Sequence, residues 1–111
     1  MRARKRFTNH IDNCTYIFHC VFVEFEWDPK KSEINLHDRG LDFAAALPAF
    51  NDENKKIWRD DRKNYGELRY NMLAKCGNRI MYITFTLRSD VVRLISFRKA
   101  NKREQRRYEE T

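Results

Sequence analysis

The residues best suited to chemistry lie on two apolar segments near the end of the chain and on the basic segment that follows them. Arg88 ends the first segment, residues 79–88. Arg93 and Arg98 lie on the second, residues 91–98. Most of the other residues of both segments are β-branched or aromatic, so we expect strands, which hold guanidinium groups in fixed positions. Because an arginine fork binds two phosphate oxygens, the pattern is typical of a site for a polyanion.

Positive charge is concentrated at the two ends of the chain, which has 111 residues and a formal net charge of +7. Residues 98–111 carry six Lys/Arg against three Glu, and residues 1–22 carry four Lys/Arg against one Asp. Clustered cations raise the local potential and release counterions when phosphates dock, which favours an acidic or phosphate-bearing partner at the terminal elements. A solvated basic helix face is the alternative.

Length and composition predict one small domain, because 41% hydrophobic residues in 111 can form a single core. No apolar run approaches the roughly 20 residues that cross a bilayer, and no small-residue cleavage site follows the basic start, so we expect a soluble, non-secreted protein. The odd set Cys14, Cys20 and Cys76 lacks zinc-ribbon spacing. We therefore expect reduced thiols in the cytoplasm, with no metal or cofactor.

The first half of the chain predicts a strand and two helices. Residues 1–13 are polar and predict a poorly ordered arm. An apolar strand runs from Tyr16 to Phe25, with Trp27 as its last anchor. Asp28-Pro29 then begins a helix of about three turns that Gly40 ends.

The second helix begins at Asp42 and should kink or end early at Pro48, since a proline removes a backbone hydrogen bond. Residues 51–66 are highly charged with few apolar anchors, which indicates a mobile loop.

The second half predicts a three-stranded antiparallel meander over residues 67–76, 79–87 and 91–98. Gly77-Asn78 suits a type II′ turn, and Ser89-Asp90 marks the next reversal. Asn101, three residues before Glu104, has a variant capping-box spacing and begins a helix over residues 102–110. The fold class is therefore α+β, with the helices on one face of the sheet and the other face open for a ligand.

Alternation along the middle strand of the meander assigns Tyr82, Thr84, Thr86 and Arg88 to the open face. A two-residue loop after this strand puts Arg93 on the same face. A three-residue loop puts Leu94, Ser96 and Arg98 there instead, because a one-residue slip turns every side chain over. The sequence leaves both registers open.

Several motifs in one order resemble the BrnT family of bacterial toxins. They are Phe25-Glu-Trp-Asp-Pro-Lys30, Asn35, His37-x-x-Gly40, Phe43, Tyr65-Gly-Glu-x-Arg69, Thr86-x-Arg88, Arg93-x-Ile-Ser-x-Arg98-Lys-Ala100, Glu104 and Tyr108-Glu109. The match covers residues 23–111. The resemblance therefore implies a single domain over residues 23–111, and residues 1–22 are then an N-terminal extension that we expect to be partly disordered. Phe97 and Pro48 depart from the family pattern, and the resemblance implies that Phe97 crowds the site and that Pro48 shortens a supporting helix.

The resemblance implies a RelE-like fold and a metal-independent endoribonuclease that blocks translation as the toxin of a toxin–antitoxin pair. It also implies neutralisation by a BrnA-type ribbon-helix-helix antitoxin in a hetero-oligomer, which would contact DNA only through the antitoxin. A non-catalytic nucleic-acid-binding or protein-binding module, such as a degenerate toxin or an operon corepressor, is the alternative. RNA sequence preference and ribosome dependence are left open.

RNA cleavage needs a base for the 2′-hydroxyl, cations for the transition state and an acid for the leaving oxygen. Arg88 and Arg98 are the candidate cations. Glu104 is a candidate base or a residue that orients an arginine, Tyr108 either packs or donates a proton, and His37 has a pKa range suited to acid–base work.

The remaining cations of the terminal segments are candidates for binding the RNA backbone or the antitoxin. They are Arg93, Lys99, Lys102, Arg103, Arg106 and Arg107. The acidic residues Asp60, Asp61 and Glu67 should repel RNA, so we expect no substrate beside them. Trp58 is a core residue or a surface on which a base can stack.

Overall fold

The structure is a computed structural model that describes residues 3–8, 22–62, 64–88 and 91–110. Within these ranges six strands form one mixed sheet, which two α-helices and a 3₁₀ helix accompany, so the α+β class is confirmed. The strands are β1 (Ala3–Thr8), β2 (Phe22–Trp27), β3 (Lys56–Arg59), β4 (Tyr70–Cys76), β5 (Arg79–Arg88) and β6 (Val91–Lys99).

The spatial order of the strands is β1-β2-β6-β5-β4-β3. Neighbours are antiparallel except β2 and β6, which run parallel. The strands predicted over residues 67–76, 79–87 and 91–98 correspond to β4, β5 and β6, with β5 in the middle.

The first helix, α1 (Pro29–Arg39), has the predicted start and end. The Asp28 side chain accepts a hydrogen bond from the backbone N–H of Lys30 at 2.9 Å. Gly40 ends the helix with φ 73°, a left-handed conformation that glycine adopts without steric cost. Asn35 of α1 donates to the carbonyl of Phe97 at 2.9 Å, which fixes the helix beside β6.

The second helix is a 3₁₀ helix, Phe43–Asn51, that continues through Pro48. The prediction that the helix ends early at this proline is therefore wrong. In a 3₁₀ helix every third residue is on the same side, and Phe43, Ala46 and Ala49 are all buried. Packing of this apolar side against the sheet supports an element whose backbone hydrogen bonds are weaker than those of an α-helix.

We call the side of the sheet that the 3₁₀ helix covers the first face. Its core includes Phe25, Met72, Ile83, Phe85 and Phe97. Phe97 is only 1% exposed in this core, on the side of the sheet away from Arg98, so the expectation that it crowds the site is wrong.

The opposite side, the second face, carries helix α2 (Lys102–Glu109) over one end. The expectation that all helices lie on one face is therefore wrong. Asn101 and Glu104 form the predicted capping box. Tyr108 is buried against Leu73 and Ile80 and donates a 2.6 Å hydrogen bond to Asp52. Docking of α2 closes one end of this face and leaves the rest accessible.

Part of the N-terminal extension is ordered, because β1 (Ala3–Thr8) pairs with β2 from Ala3–Trp27 to Thr8–Phe22. The first part of the strand predicted from Tyr16, together with Cys14 and Cys20, lies outside the described residues.

The prediction of a mobile loop over residues 51–66 is wrong for its central part. Residues 56–59 form β3, which pairs with β4 from Lys56–Leu73 to Arg59–Tyr70. The pairing continues beyond the strand, since the backbone N–H of Asp60 donates to the carbonyl of Arg69 at 2.8 Å. Alternation of exposed and half-buried residues along β3 leaves Trp58 on the second face.

A β-bulge in β6 resolves the two registers that the sequence leaves open. Arg93 lies opposite Thr86, and Arg98 lies opposite Tyr82, because Ile95 is an extra residue between the pairs Phe85–Leu94 and Thr84–Ser96. Both arginines therefore share the second face with Arg88. The reversal at Ser89-Asp90 lies outside the described residues.

Candidate active site

A groove of about 500 Å³ lies on the second face between α2 and the segment that joins β3 to β4. It is lined by Trp58, Arg59, Asp60, Asp61, Arg62, Asn71, Tyr82, Arg103, Glu104 and Arg107. Cations, carboxylates and aromatic rings thus meet in one concave site of the kind that binds small or extended polar ligands.

Arg98 is held at the edge of this groove by Glu104. Its two Nη atoms each donate a 2.9 Å hydrogen bond to a different carboxylate oxygen of Glu104, and its guanidinium carbon lies 4.2 Å from the centre of the Tyr82 ring. The Glu104 hydrogen bonds raise the pKa of Arg98, and Arg98 lowers the pKa of Glu104. The capping box fixes Glu104, which fixes Arg98, so a local sequence signal determines where the guanidinium points.

Arg62 is held in a similar way by Asp60, and no pattern in the sequence indicates that either residue belongs to a site. Nε and Nη2 of Arg62 donate to the two carboxylate oxygens of Asp60 at 2.9 and 2.8 Å, and the Tyr65 hydroxyl donates to the same carboxylate at 3.2 Å. The Asp60 side chain is 1% exposed whereas that of Arg62 is 71% exposed. Hydrogen bonds from Arg62 hold the pKa of Asp60 well below its usual range, so the prediction that Asp60 repels substrate neglects its neutralisation by Arg62.

The floor of the groove is aromatic. The Trp58 and Tyr82 rings meet edge to face with centres 5.9 Å apart. The guanidinium carbon of Arg107 lies 3.9 Å from the centre of the Trp58 ring, a cation–π contact that links α2 to β3. A planar guanidinium or an aromatic ring in such a groove provides a surface on which an unpaired base can stack.

Arg93 lies farther along the second face and pairs with Glu26. Its Nη1 atom is 3.3 Å from Oε2 of Glu26, whose side chain is 1% exposed. The two residues are adjacent across the parallel pair β2 and β6. Burial of a charged pair is tolerated only when the partners stay together, so Arg93 holds the Glu26 carboxylate as much as Glu26 holds Arg93.

Arg88 lies at the far end of the same face. Its Nη2 atom is 3.2 Å from Oε1 of Glu67, and the other oxygen of Glu67 accepts from Arg69 at 3.4 Å. Arg98 lies opposite Tyr82, six residues along β5 from Arg88, which corresponds to roughly 20 Å of strand. The structure therefore does not bring the two candidate transition-state cations together.

Tyr108 and His37 are also separated from the groove edge that Arg98 occupies. Burial and the hydrogen bond to Asp52 raise the pKa of Tyr108 to about 12, and the ring packs in the core under α2. His37 lies on α1, its side chain is 89% exposed, and its Nδ1 is 3.1 Å from Asp38. Of the five predicted catalytic residues, the structure brings only Arg98 and Glu104 into direct contact at the groove.

The predicted RNA-binding cations divide into those at the groove and those away from it. Arg103 and Arg107 line the groove. Lys102 and Arg106 are exposed on other sides of α2, and Lys99 lies opposite Met81, whose side chain belongs to the first face. Among the described residues, no group of three or more His, Cys, Asp or Glu side chains could hold a metal ion, and no described helix is long and apolar enough to cross a membrane.

Sequence reasoning missed Arg62, Tyr82 and Asn71 as site residues for different reasons. Tyr82 was placed on the correct face, but nothing in the sequence shows that Arg98 stacks on it. Asn71 is buried and accepts a hydrogen bond from Thr84 at 2.9 Å, a pairing that depends on the register of β4 and β5. Arg62 follows Asp60 by two residues, and that spacing alone is common in charged loops.

The arrangement can bind an anion between fixed guanidinium groups and hold an aromatic base beside it. A comparison with protein families finds a match over residues 27–104, more than half of the chain, to the model described as "Ribonuclease toxin, BrnT, of type II toxin-antitoxin system". A search of curated proteins finds no match.

Proposed function

The chain belongs to the BrnT family of ribonuclease toxins of type II toxin–antitoxin systems, and on this premise we propose that it cleaves RNA in the groove of the second face. The observation that carries this proposal is the position of Arg98 at the groove edge. Glu104 holds its guanidinium through two hydrogen bonds, and the Tyr82 ring supports it from below. A cation fixed before the substrate arrives stabilises transition-state charge without further reorganisation.

In the proposed reaction the 2′-oxygen of one nucleotide attacks the adjacent phosphorus. The new O–P bond forms as the bond from phosphorus to the 5′-oxygen breaks, giving a 2′,3′-cyclic phosphate and a 5′-hydroxyl. One proton leaves the 2′-hydroxyl and one is gained by the 5′-oxygen. Arg98 neutralises the charge on the phosphate oxygens, and no step in this route requires a metal ion.

Glu104 acts in this proposal by positioning Arg98 and not as the base. Both of its carboxylate oxygens accept hydrogen bonds from Arg98, and the backbone N–H of Asn101 also donates to one of them at 2.9 Å. These contacts lower the pKa of Glu104, which makes the carboxylate a weaker proton acceptor.

The other predicted site residues take supporting roles. Arg88 and Arg93 contact the RNA chain along the second face beyond the scissile bond, and the exposed cations of α2 contact its phosphates. Tyr108 maintains the docking of α2. His37 does not line the groove, and its side chain is 89% exposed on α1, so its proposed contribution is limited to contacts outside the groove.

At the level of the cell, we expect the activity to block translation in the cytoplasm and the fold to be RelE-like. We also propose that a BrnA-type ribbon-helix-helix antitoxin neutralises the toxin in a hetero-oligomer and supplies all contacts with DNA. Co-purification of the chain with the product of a neighbouring antitoxin gene tests the partner, and recovery of the toxin alone from such cells would contradict it.

The test of the enzyme is induced expression in bacteria with measurement of growth and RNA integrity. The wild-type chain should arrest growth and cleave RNA, whereas Arg98→Ala should do neither. Arg79→Ala is the matched control, because Arg79 starts β5 on the first-face side and its loss changes the net charge equally. Growth arrest by Arg98→Ala at the wild-type level would contradict the proposed site.

A non-catalytic RNA-binding module is the second candidate, and one observation favours it. Arg88, Arg93 and Arg98 are each paired with a glutamate of the same chain, as expected for cations with a structural role. Two results together would favour the module. The purified chain would retain RNA without cleaving it, and expression of the chain would not arrest growth.

A further inference from the structure

We propose that Arg62 and Arg98 bind one phosphate together across Tyr82, and that Asp60 and Glu104 are their positioning residues. This inference rests on the proposed ribonuclease activity, because it identifies the scissile phosphate as the ligand of the two guanidinium groups.

The two arginines are held by the same kind of contact. Each guanidinium donates two hydrogen bonds of 2.8 to 2.9 Å to both oxygens of one carboxylate. The Asp60 and Glu104 side chains are 1% and 18% exposed, whereas those of Arg62 and Arg98 are 71% and 34% exposed. A carboxylate that is less exposed than the guanidinium it holds presents the cation to solvent in a fixed orientation.

Arg59 provides the contrast. It also pairs with an aspartate, Asp61, but through one 2.8 Å contact, and both side chains are more than half exposed. An exposed ion pair of this kind constrains its partners weakly. Proximity to the groove is therefore shared by several cations, whereas a fixed orientation distinguishes Arg62 and Arg98.

Both arginines lie at the part of the groove that Tyr82 lines. Arg98 stacks on the Tyr82 ring, and Arg62 and Tyr82 line the same groove. The charge of Arg62 lowers the pKa of Arg98, opposing the larger effect of Glu104, and both arginines lower the pKa of Tyr82 against its burial. An anion bound between the two cations would relieve their mutual repulsion.

Each guanidinium keeps hydrogen-bond donors for such an anion. Asp60 engages Nε and Nη2 of Arg62, so the Nη1 group lies away from the carboxylate. Glu104 engages Nη1 and Nη2 of Arg98, which leaves Nε. A phosphate can therefore accept hydrogen bonds from Nη1 of Arg62 and from Nε of Arg98 without displacing either carboxylate.

The experiment measures kcat and KM for cleavage of an RNA oligonucleotide by purified variants. Arg62→Ala and Arg98→Ala should each lower kcat by about 100-fold relative to Arg79→Ala. The double variant should lose much less than the product of the two single losses, since both residues act on one phosphate. Arg62→Lys should keep part of the activity, because it restores charge without the fork.

Asp60→Asn tests the positioning role. It should lower kcat by about 10-fold with a change in KM below about threefold, and it should shift the NMR signal of the Arg62 Nε–H group. A loss of activity without any change in that signal would overturn the role of Asp60, and a thermal melt excludes unfolding as the cause.

The outcomes separate this inference from the proposed function. If the wild type cleaves RNA and Arg62→Ala cleaves as well as Arg79→Ala, the two-arginine site is wrong and the ribonuclease stands. If the wild type does not cleave RNA, the ribonuclease is wrong, and binding of a 2′-O-methyl RNA oligonucleotide decides the site. Weaker binding by Arg62→Ala than by Arg79→Ala then supports two arginines on one phosphate, and equal binding overturns it.

Discussion

The two ends of the second face carry similar residues in different arrangements. At the groove end, both carboxylate oxygens of Glu104 accept hydrogen bonds from Arg98. At the other end, one oxygen of Glu67 accepts from Arg69 at 3.4 Å and the other accepts from Arg88 at 3.2 Å. Glu104 is itself fixed by the helix cap, while Glu67 lies in the segment that precedes β4.

This comparison shows that the number of arginines on a face says little about where a phosphate binds. A guanidinium that donates to both oxygens of a fixed carboxylate is held in one orientation. A guanidinium that contacts one oxygen, while another arginine contacts the second, can change its orientation. We therefore assign the reaction to the groove end and weaker RNA contacts to the Arg88 end.

The largest expected effect compares the two ends directly. Arg98→Ala should lower the rate of RNA cleavage by about 100-fold to 1,000-fold, as expected for loss of a preorganised donor to a transition state. Arg88→Ala should lower it by less than about 10-fold, because it removes only a distant backbone contact. Initial rates on the same RNA decide between them, and equal losses would abolish the distinction between the ends.

Substitution of the two glutamates should also lower the cleavage rate more at the groove end than at the Arg88 end, but by less than substitution of the arginines. Glu104→Gln should reduce cleavage by about 10-fold, since one neutral amide cannot hold the guanidinium as a carboxylate does. It should also destabilise the chain by about 1 kcal/mol through the weakened capping box. Glu67→Gln serves as the control and should change the rate by less than about twofold. A reversed order would place the site at the Arg88 end.

The ring beneath Arg98 gives a third test. Tyr82→Phe keeps the surface on which the guanidinium stacks and should retain the rate within about threefold. Tyr82→Leu removes the aromatic face and should reduce the rate by about 10-fold. Steady-state kinetics on both variants show whether the ring or the hydroxyl matters. A large loss in Tyr82→Phe would assign the hydroxyl a direct part in the reaction.

The smallest expected effect is on the free energy of unfolding and comes from Tyr108, which lies at neither of the two arginine sites being compared. The pKa of Tyr108 is raised to about 12, so its stabilising contribution is present below its ordinary pKa near 10 and is lost as the pH rises through 12. Tyr108→Phe should cost about 1 kcal/mol at neutral pH and should reduce the alkaline loss of stability. Urea unfolding at pH 8 and pH 11 measures the difference, and an identical pH dependence in both proteins would contradict it.

Local signals in the sequence predicted the local structure well. The start of α1 at Asp28-Pro29, its end at Gly40 and the capping box of α2 depend on neighbours within a few residues, and all three are present. The same locality identified Glu104, whose cap contact determines the position of Arg98.

Features that depend on distant partners were not predictable in this way. Asp60 and Arg62 form part of the groove only because β3 pairs with β4 and because α2 docks on the second face. The charged composition of residues 51–66 instead suggested a mobile loop. The persistence of the helix through Pro48 likewise depends on packing against the sheet, which a rule about a single proline does not include.

The extra residue in β6, Ile95, determines what an in-frame deletion at this point of the gene would do. Before Ile95 the odd-numbered residues of this strand face the second face, and after it the even-numbered ones do. A three-nucleotide deletion that removes Ile95 would restore strict alternation without shifting the reading frame. The pairs on both sides of the cut would be kept, since Leu94 would stay opposite Phe85 and Ser96 opposite Thr84, so Arg98 would remain on the second face and Phe97 in the core. Loss of this one codon would thus leave every arginine of the strand on its own side of the sheet.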